Sequence, residues 1–139
     1  MKKNREKLFL ILNIAIPILT GALTYYVISP DVIFVQQIDS FLGIDNHGYD
    51  IAHASSVIRF VRLYFLDMTW GYALVFALYL LTGNNTADLI KLLILAIAFS
   101  AVLEFLQITS LVKGTFDVID IVAEALAEMV AVFIIKAKS

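Results

Sequence analysis

No cysteine occurs in the 139 residues of this chain. That excludes disulfides, thiolate-bound metals, a cysteine nucleophile and a lipid anchor on cysteine, and it leaves the redox compartment open. Charge is scarce too. Charged residues make up 16% of the chain and apolar residues 61%, against about a quarter and a half in soluble domains. The formal net charge of −2 leaves no basic excess of the kind that binds nucleic acid. There is no phosphate-binding glycine loop, no nucleophile motif and no histidine-containing metal motif. The two histidines, His47 and His53, lie in or beside a turn-rich loop, GIDNHGYD, whose Asp45, His47 and Asp50 match no metal-ligand spacing. No metal and no cofactor is expected. The mean hydropathy of +0.91 points to a protein whose solvent is lipid, and the length suits one domain, 1–139.

Four long apolar stretches then stand out. A basic tail, MKKNREK, precedes an uncharged run from Leu8 to Pro30, long enough for the ~20 residues that cross a ~30 Å hydrocarbon core. The run is too long for a signal-peptide core and no small-residue cleavage site follows it, so 8–28 reads as the first span. Asn13, Pro17, Thr20, Gly21 and Thr24 share one face of it, which suits close helix packing, with a kink at Pro17. Asp31–Leu42 has the pattern of a short helix lying in the interface. Ser56–Arg62 leads helically into a second span at 63–81, where Tyr64, Trp70 and Tyr72 suit interface anchoring. Gly83-Asn84-Asn85 is a turn, and a third span follows at 89–108, with Lys91 near its start able to reach the surface. Leu111–Gly114 is a tight link to a fourth span at 116–135. The expected fold is therefore all-α, a four-helix transmembrane bundle with a short interfacial helix and loop between spans one and two.

Polar residues interrupt this apolar pattern at chosen places. Ser100, Glu104 and Gln107 share a face of the third span. Asp117, Asp120, Glu124 and Glu128, spaced three, four and four, form one stripe on the fourth. Four spans put both termini on one side with Lys2, Lys3, Arg5, Lys7, Lys136 and Lys138, leaving Arg59, Arg62 and Lys113 on the other. The positive-inside rule then places both termini in the cytoplasm. By depth, Arg59, Arg62, Asp67, Trp70, Glu104, Gln107, Asp117 and Asp120 converge on the outer leaflet as a candidate polar pocket. Glu124 and Glu128 carry the stripe to mid-membrane as secondary acids. A charge at the bilayer centre costs at least ~2.5–3.5 kcal/mol, so these side chains must face the bundle interior. They serve either as ion pairs holding the helices in register or as a pocket, and the excess of acids over bases favours the pocket. Lys91, on the far face of its helix from Glu104, is no partner for the stripe.

At these residues the chain resembles the VanZ-like family of small bacterial membrane proteins. Glu104-Phe-Leu-Gln107 followed by Gly114-Thr115-Phe116-Asp117-x-x-Asp120 is similar to that family's Glu-x-x-Gln, short link and Gly/Arg-Thr-x-Asp-x-x-Asp. Tyr64-Phe-Leu-Asp67-Met-Thr-Trp70 is similar to an Asp-x-x-Trp of one branch. The family pattern continues with Asn and Gly where this chain has Glu124 and Ala127. The resemblance covers roughly the second half of the chain. It implies a multispan protein of the bacterial cytoplasmic membrane, and the family's founding member is linked to resistance to the lipid-tailed glycopeptide teicoplanin.

Three functions are compatible with these residues. The first is an envelope protein whose outer acidic pocket binds a lipid-linked envelope precursor or a glycopeptide, with membrane lipids as neighbours. The second is an embedded enzyme acting on a lipid-linked substrate through paired carboxylates or an oxygen-held divalent cation. The third is a proton-coupled transporter using Glu124 and Glu128, which at this size would be a homodimer.

Overall fold

The computed structural model describes residues 2–29, 32–44, 55–109 and 116–138. The loop with Asp45, His47, Asp50 and His53, and Lys113, Gly114 and Thr115 of the link, lie outside the described residues. Within them the chain is helical and holds no strand. The helices are α1 (Lys2–Ile28), α2 (Ile33–Leu42), α3 (Ser56–Leu81), α4 (Leu89–Ile108) and α5 (Val118–Lys138), with a 3-10 turn at Thr86–Asp88 ahead of α4. Three of the long segments, Asn4–Ile28, Ser56–Leu81 and Thr86–Ile108, are long and apolar enough to cross a membrane. At 21 residues, α5 is also about 31 Å long, but its acids interrupt its apolar run.

The bounds differ from those read off the hydropathy. α3 starts at Ser56, so the segment Ser56–Arg62, expected to lead helically into the span, is one continuous helix with it. Ser55 caps that start, accepting from the Ile58 N–H at 3.4 Å. α1 runs unbroken through Pro17, where Thr20 Oγ1 donates to the carbonyls of Ile16 and Pro17 at 2.9 and 3.0 Å. The turn after α3 takes left-handed backbone at Gly83 (φ 85°) and Asn84 (φ 62°). It is tied by Tyr79 OH, which donates to the Asn84 carbonyl at 2.9 Å. Lys91 pairs with Asp88 at 2.8 Å on the surface, away from the acids of α5.

α3 is the central helix. α1 and α5 pack along it, and α4 touches both α3 and α5. α3 and α5 run parallel, because Asp67 and Asp120 line one cleft at one end while Tyr79 and Ile135 line another at the far end. Between them Gly71 lets the helices close. A Cβ on Gly71 would sit 3.3–3.4 Å from Glu124 Cβ, Cα and O. α1 meets α3 the same way, for a Cβ on Gly21 would run into Thr69 Oγ1 and come within 3.3 Å of Leu66. One turn to two turns away, Tyr72 OH donates to Asn13 Oδ1 at 2.6 Å. Small residues at crossing points are how helices without a hydrophobic drive between them gain packing contact.

Polarity is segregated along the bundle axis. In the half near the termini the core is dry and built from Leu10, Val75, Phe76, Tyr79, Leu89, Leu92, Ala96, Ala131 and Ile135. In the other half the buried side chains include Thr69, Ser100, Glu104, Glu124 and Glu128. The outward faces are the reverse. Leu19 and Leu23 of α1, Ile90, Ile94 and Phe105 of α4, and Val122, Leu126 and Phe133 of α5 are all more than half exposed. The short α2 is pinned by Tyr26 OH, which donates to Asp39 Oδ1. Asp39 is buried beneath that bond, while the apolar Ile33, Phe41 and Leu42 of α2 are exposed.

Gly21→Ala is expected to lower stability in detergent by about 1–3 kcal/mol through overpacking. Thr69→Ala, which removes the clashing hydroxyl, should recover part of that loss. Thermal unfolding of wild type, both single variants and the double variant measures the coupling; strictly additive losses would mean that α1 and α3 do not meet at this point.

Candidate functional site

The polar half of the bundle opens into a cleft of about 370 Å³ at the end away from the termini. α1 contributes Tyr25, α3 contributes Arg62, Tyr64 and Asp67, α4 contributes Glu104 and Gln107, and the start of α5 contributes Asp117 and Asp120. Helical geometry explains the selection from α3. Gly71 faces α5, and Asp67 lies one turn before it on the same side. Trp70 is turned about 100° from Gly71, so it is on the outer surface, 41% exposed. Trp70 is not part of the cleft. Arg59 is likewise exposed and outside the lining, so two of the residues placed at this depth by sequence are not brought to the site.

Glu104 organises the wall shared by α4 and α5. It is buried, 7% exposed. Its Oε1 accepts from Gln107 Nε2 at 2.7 Å, and its Oε2 accepts a longer bond, 3.5 Å, from the Asp117 backbone N–H. Asp117 caps α5, with Oδ1 accepting from the Ile119 N–H at 2.8 Å. Its other oxygen lies 3.5 Å from Tyr64 OH. One hydrogen-bonded chain, Gln107–Glu104–Asp117–Tyr64, thus ties three helices at the mouth. A carboxylate at a helix start is also favoured by the helix dipole.

Below the cleft the stripe of α5 continues inward. Glu124 is 5% exposed and Glu128 fully buried. Ser100 Oγ donates to Glu128 Oε1 at 3.0 Å. Ser100 sits on the face of α4 that carries Glu104, but the crossing of α4 and α5 hands it to Glu128. One oxygen of each glutamate, Oε2, is buried without a hydrogen-bond partner among the described residues.

The arrangement supplies four carboxylates, one guanidinium, two phenols and an amide around one opening, which suits recognition of an amine or a hydrogen-bonding head group. Among the described residues no three His, Asp or Glu side chains are arranged to hold a metal ion. Tyr25 and Tyr64 were not among the residues singled out by sequence for the pocket. Tyr64, three residues before Asp67, shares its face and could have been found by helical spacing. Tyr25 offers no such signal, because its place depends on how α1 leans on α3. The chain matches no family model, no curated protein and no solved structure.

Asp117 has separable roles as cap and as charge. Asp117→Ala is expected to cost about 1 kcal/mol of stability through loss of the cap, whereas Asp117→Asn keeps an acceptor oxygen and should cost no more than a few tenths. Chemical unfolding of both variants in one detergent checks this; equal losses would place the stabilising effect in the charge.

Proposed function

We propose that this chain is a four-span protein of the bacterial cytoplasmic membrane, VanZ-like in kind, whose acidic cleft faces outward and binds the polar head of a lipid-tailed envelope ligand, teicoplanin or the lipid-linked precursor it targets. The observation that carries the reading is the single cleft with Asp67, Glu104, Asp117 and Asp120 at one end of a bundle whose outer faces are apolar. A ligand with an apolar tail and a cationic or hydrogen-bonding head fits that division. The tail lies along the exposed Leu, Ile and Phe surface, and the head enters among the carboxylates. Arg62 at the rim suits a phosphate or carboxylate on the same ligand.

The fourth span is α5. Its acids turn inward, with Glu124 and Glu128 buried, while Val122, Leu126, Met129, Val130 and Phe133 turn outward. That inside-out distribution is what lets an acid-bearing helix sit in lipid. With four spans both termini share a side, and the lysines at positions 2, 3, 7, 136 and 138 with Arg5 make that side cytoplasmic. The cleft, at the opposite end, then opens to the outer leaflet, where lipid-tailed drug and precursor are met.

Expression in a sensitive Gram-positive host should protect against teicoplanin and not against vancomycin, which has no lipid tail. At equal membrane abundance the double variant Asp117→Asn/Asp120→Asn should lose the protection. Binding of teicoplanin to the purified chain in nanodiscs should weaken about tenfold or more, as expected when charge-assisted hydrogen bonds of ~1.5–3 kcal/mol are lost. Protection and binding kept in the double variant would remove these acids from the site.

A further inference from the structure

Glu124 and Glu128 lie deeper than the cleft and take no part in binding a head group there. Their surroundings are unusual for carboxyl groups. Both are at least nine-tenths buried, and among the described residues each has one oxygen with no hydrogen-bond partner, and the one side chain that bonds either of them is the hydroxyl of Ser100. The charged groups that act on Glu124 are themselves acids: Asp67 from α3, Glu104 from α4 and Glu128 from its own helix, with Asp120 one turn above it on the stripe. Among the described residues no basic side chain acts on either glutamate. A buried carboxylate keeps its charge only with a cation or several donors around it, and otherwise takes up a proton. The unpartnered oxygens mark where that proton is held.

We infer that Glu124, Glu128 and Ser100 form an occluded proton-binding site beneath the cleft, one that exchanges protons with the cleft side of the bundle only. The direction follows from what lies on either side. Towards the cleft the stripe continues through Asp120 to Asp117 at the mouth. Towards the termini the interior closes on Val75, Phe76, Leu89, Leu92, Ala96 and Ala131, an apolar layer that separates the glutamates from the second cleft lined by Tyr79 and Ile135. The phenol of Tyr79, in the same cluster, is already committed to the Asn84 carbonyl. The step moves one proton from water in the cleft to a glutamate oxygen and breaks no other bond. The inference stands whatever ligand the cleft takes.

Infrared difference spectroscopy of the chain in nanodiscs, titrated by pH, tests it. A carboxylic-acid carbonyl band from an apolar environment should be present at neutral pH. It should diminish in Glu124→Gln and in Glu128→Gln, each of which keeps the size of the side chain. No such band in wild type, or a band unchanged in both variants, would overturn the proton site. If either variant fails to fold, dicyclohexylcarbodiimide labelling of wild type reads the same group. The protonated carboxyl adds across the carbodiimide and rearranges to an N-acylurea with no leaving group. Label mapped to Glu124 or Glu128, falling about tenfold per pH unit above the midpoint, supports the inference. Label blocked by sodium rather than by raised pH would make the occupant a metal cation and overturn it. In proteoliposomes under a pH gradient, proton flux should stay at the protein-free level; a flux abolished by Glu128→Gln would overturn the one-sidedness.

Discussion

The close parallel approach of α3 and α5 at Gly71 is the constraint on which the rest of the structure depends. With hydrogen at Gly71, the backbone of Glu124 comes to van der Waals distance of the central helix. Parallel helices in contact bring equivalent turns together. One turn towards the cleft, Asp67 of α3 and Asp120 of α5 therefore share a wall. On the other side of the crossing, Val75 and Phe76 meet the dry core with Ala131 and Ile135. Because α3 and α5 run in the same direction, the segment between them must return the full length of the bundle, and α4 is that return. It arrives with Ser100 and Glu104 facing the stripe of α5.

This geometry explains how so many acids are held in so apolar a chain. Several of the carboxyls are answered by local hydrogen bonds. Glu104 has an amide and a backbone N–H, Asp117 has the start of a helix, Glu128 has a serine, and Asp39 has the phenol of Tyr26. Hydrogen bonds of this kind hold a polar group in place without the desolvation of a second full charge. They also leave the mouth of the cleft net acidic, with Arg62 as its basic member among the lining residues. An ion-pair network that neutralised itself would have no remaining capacity for a ligand.

Much of this was legible in the sequence. The long apolar runs, the turn at Gly83-Asn84-Asn85 and the three-four-four spacing of the acids on α5 are local signals, and each fixes a helix, a break or a face. What was not legible depends on how faces are paired. Trp70 stands three residues from Asp67 and at the same depth, yet the crossing at Gly71 turns it outward. Asp39 looks like the solvated side of an amphipathic helix until Tyr26, thirteen residues earlier, closes over it. Tyr25 joins the cleft only because α1 docks through Gly21 on Thr69.

Native cysteine is absent, so single cysteines can report directly on the orientation and opening of the cleft. The most direct measurement is labelling of Asp120→Cys, Ala127→Cys and Lys138→Cys in intact cells with a membrane-impermeant maleimide. Asp120→Cys should be labelled from outside. Lys138→Cys should be labelled only after the membrane is permeabilised, and Ala127→Cys, in the buried seam of α5, should resist labelling in both conditions. Labelling of Lys138→Cys from outside, or of Asp120→Cys only from the cytoplasm, would contradict an outward-facing acidic cleft.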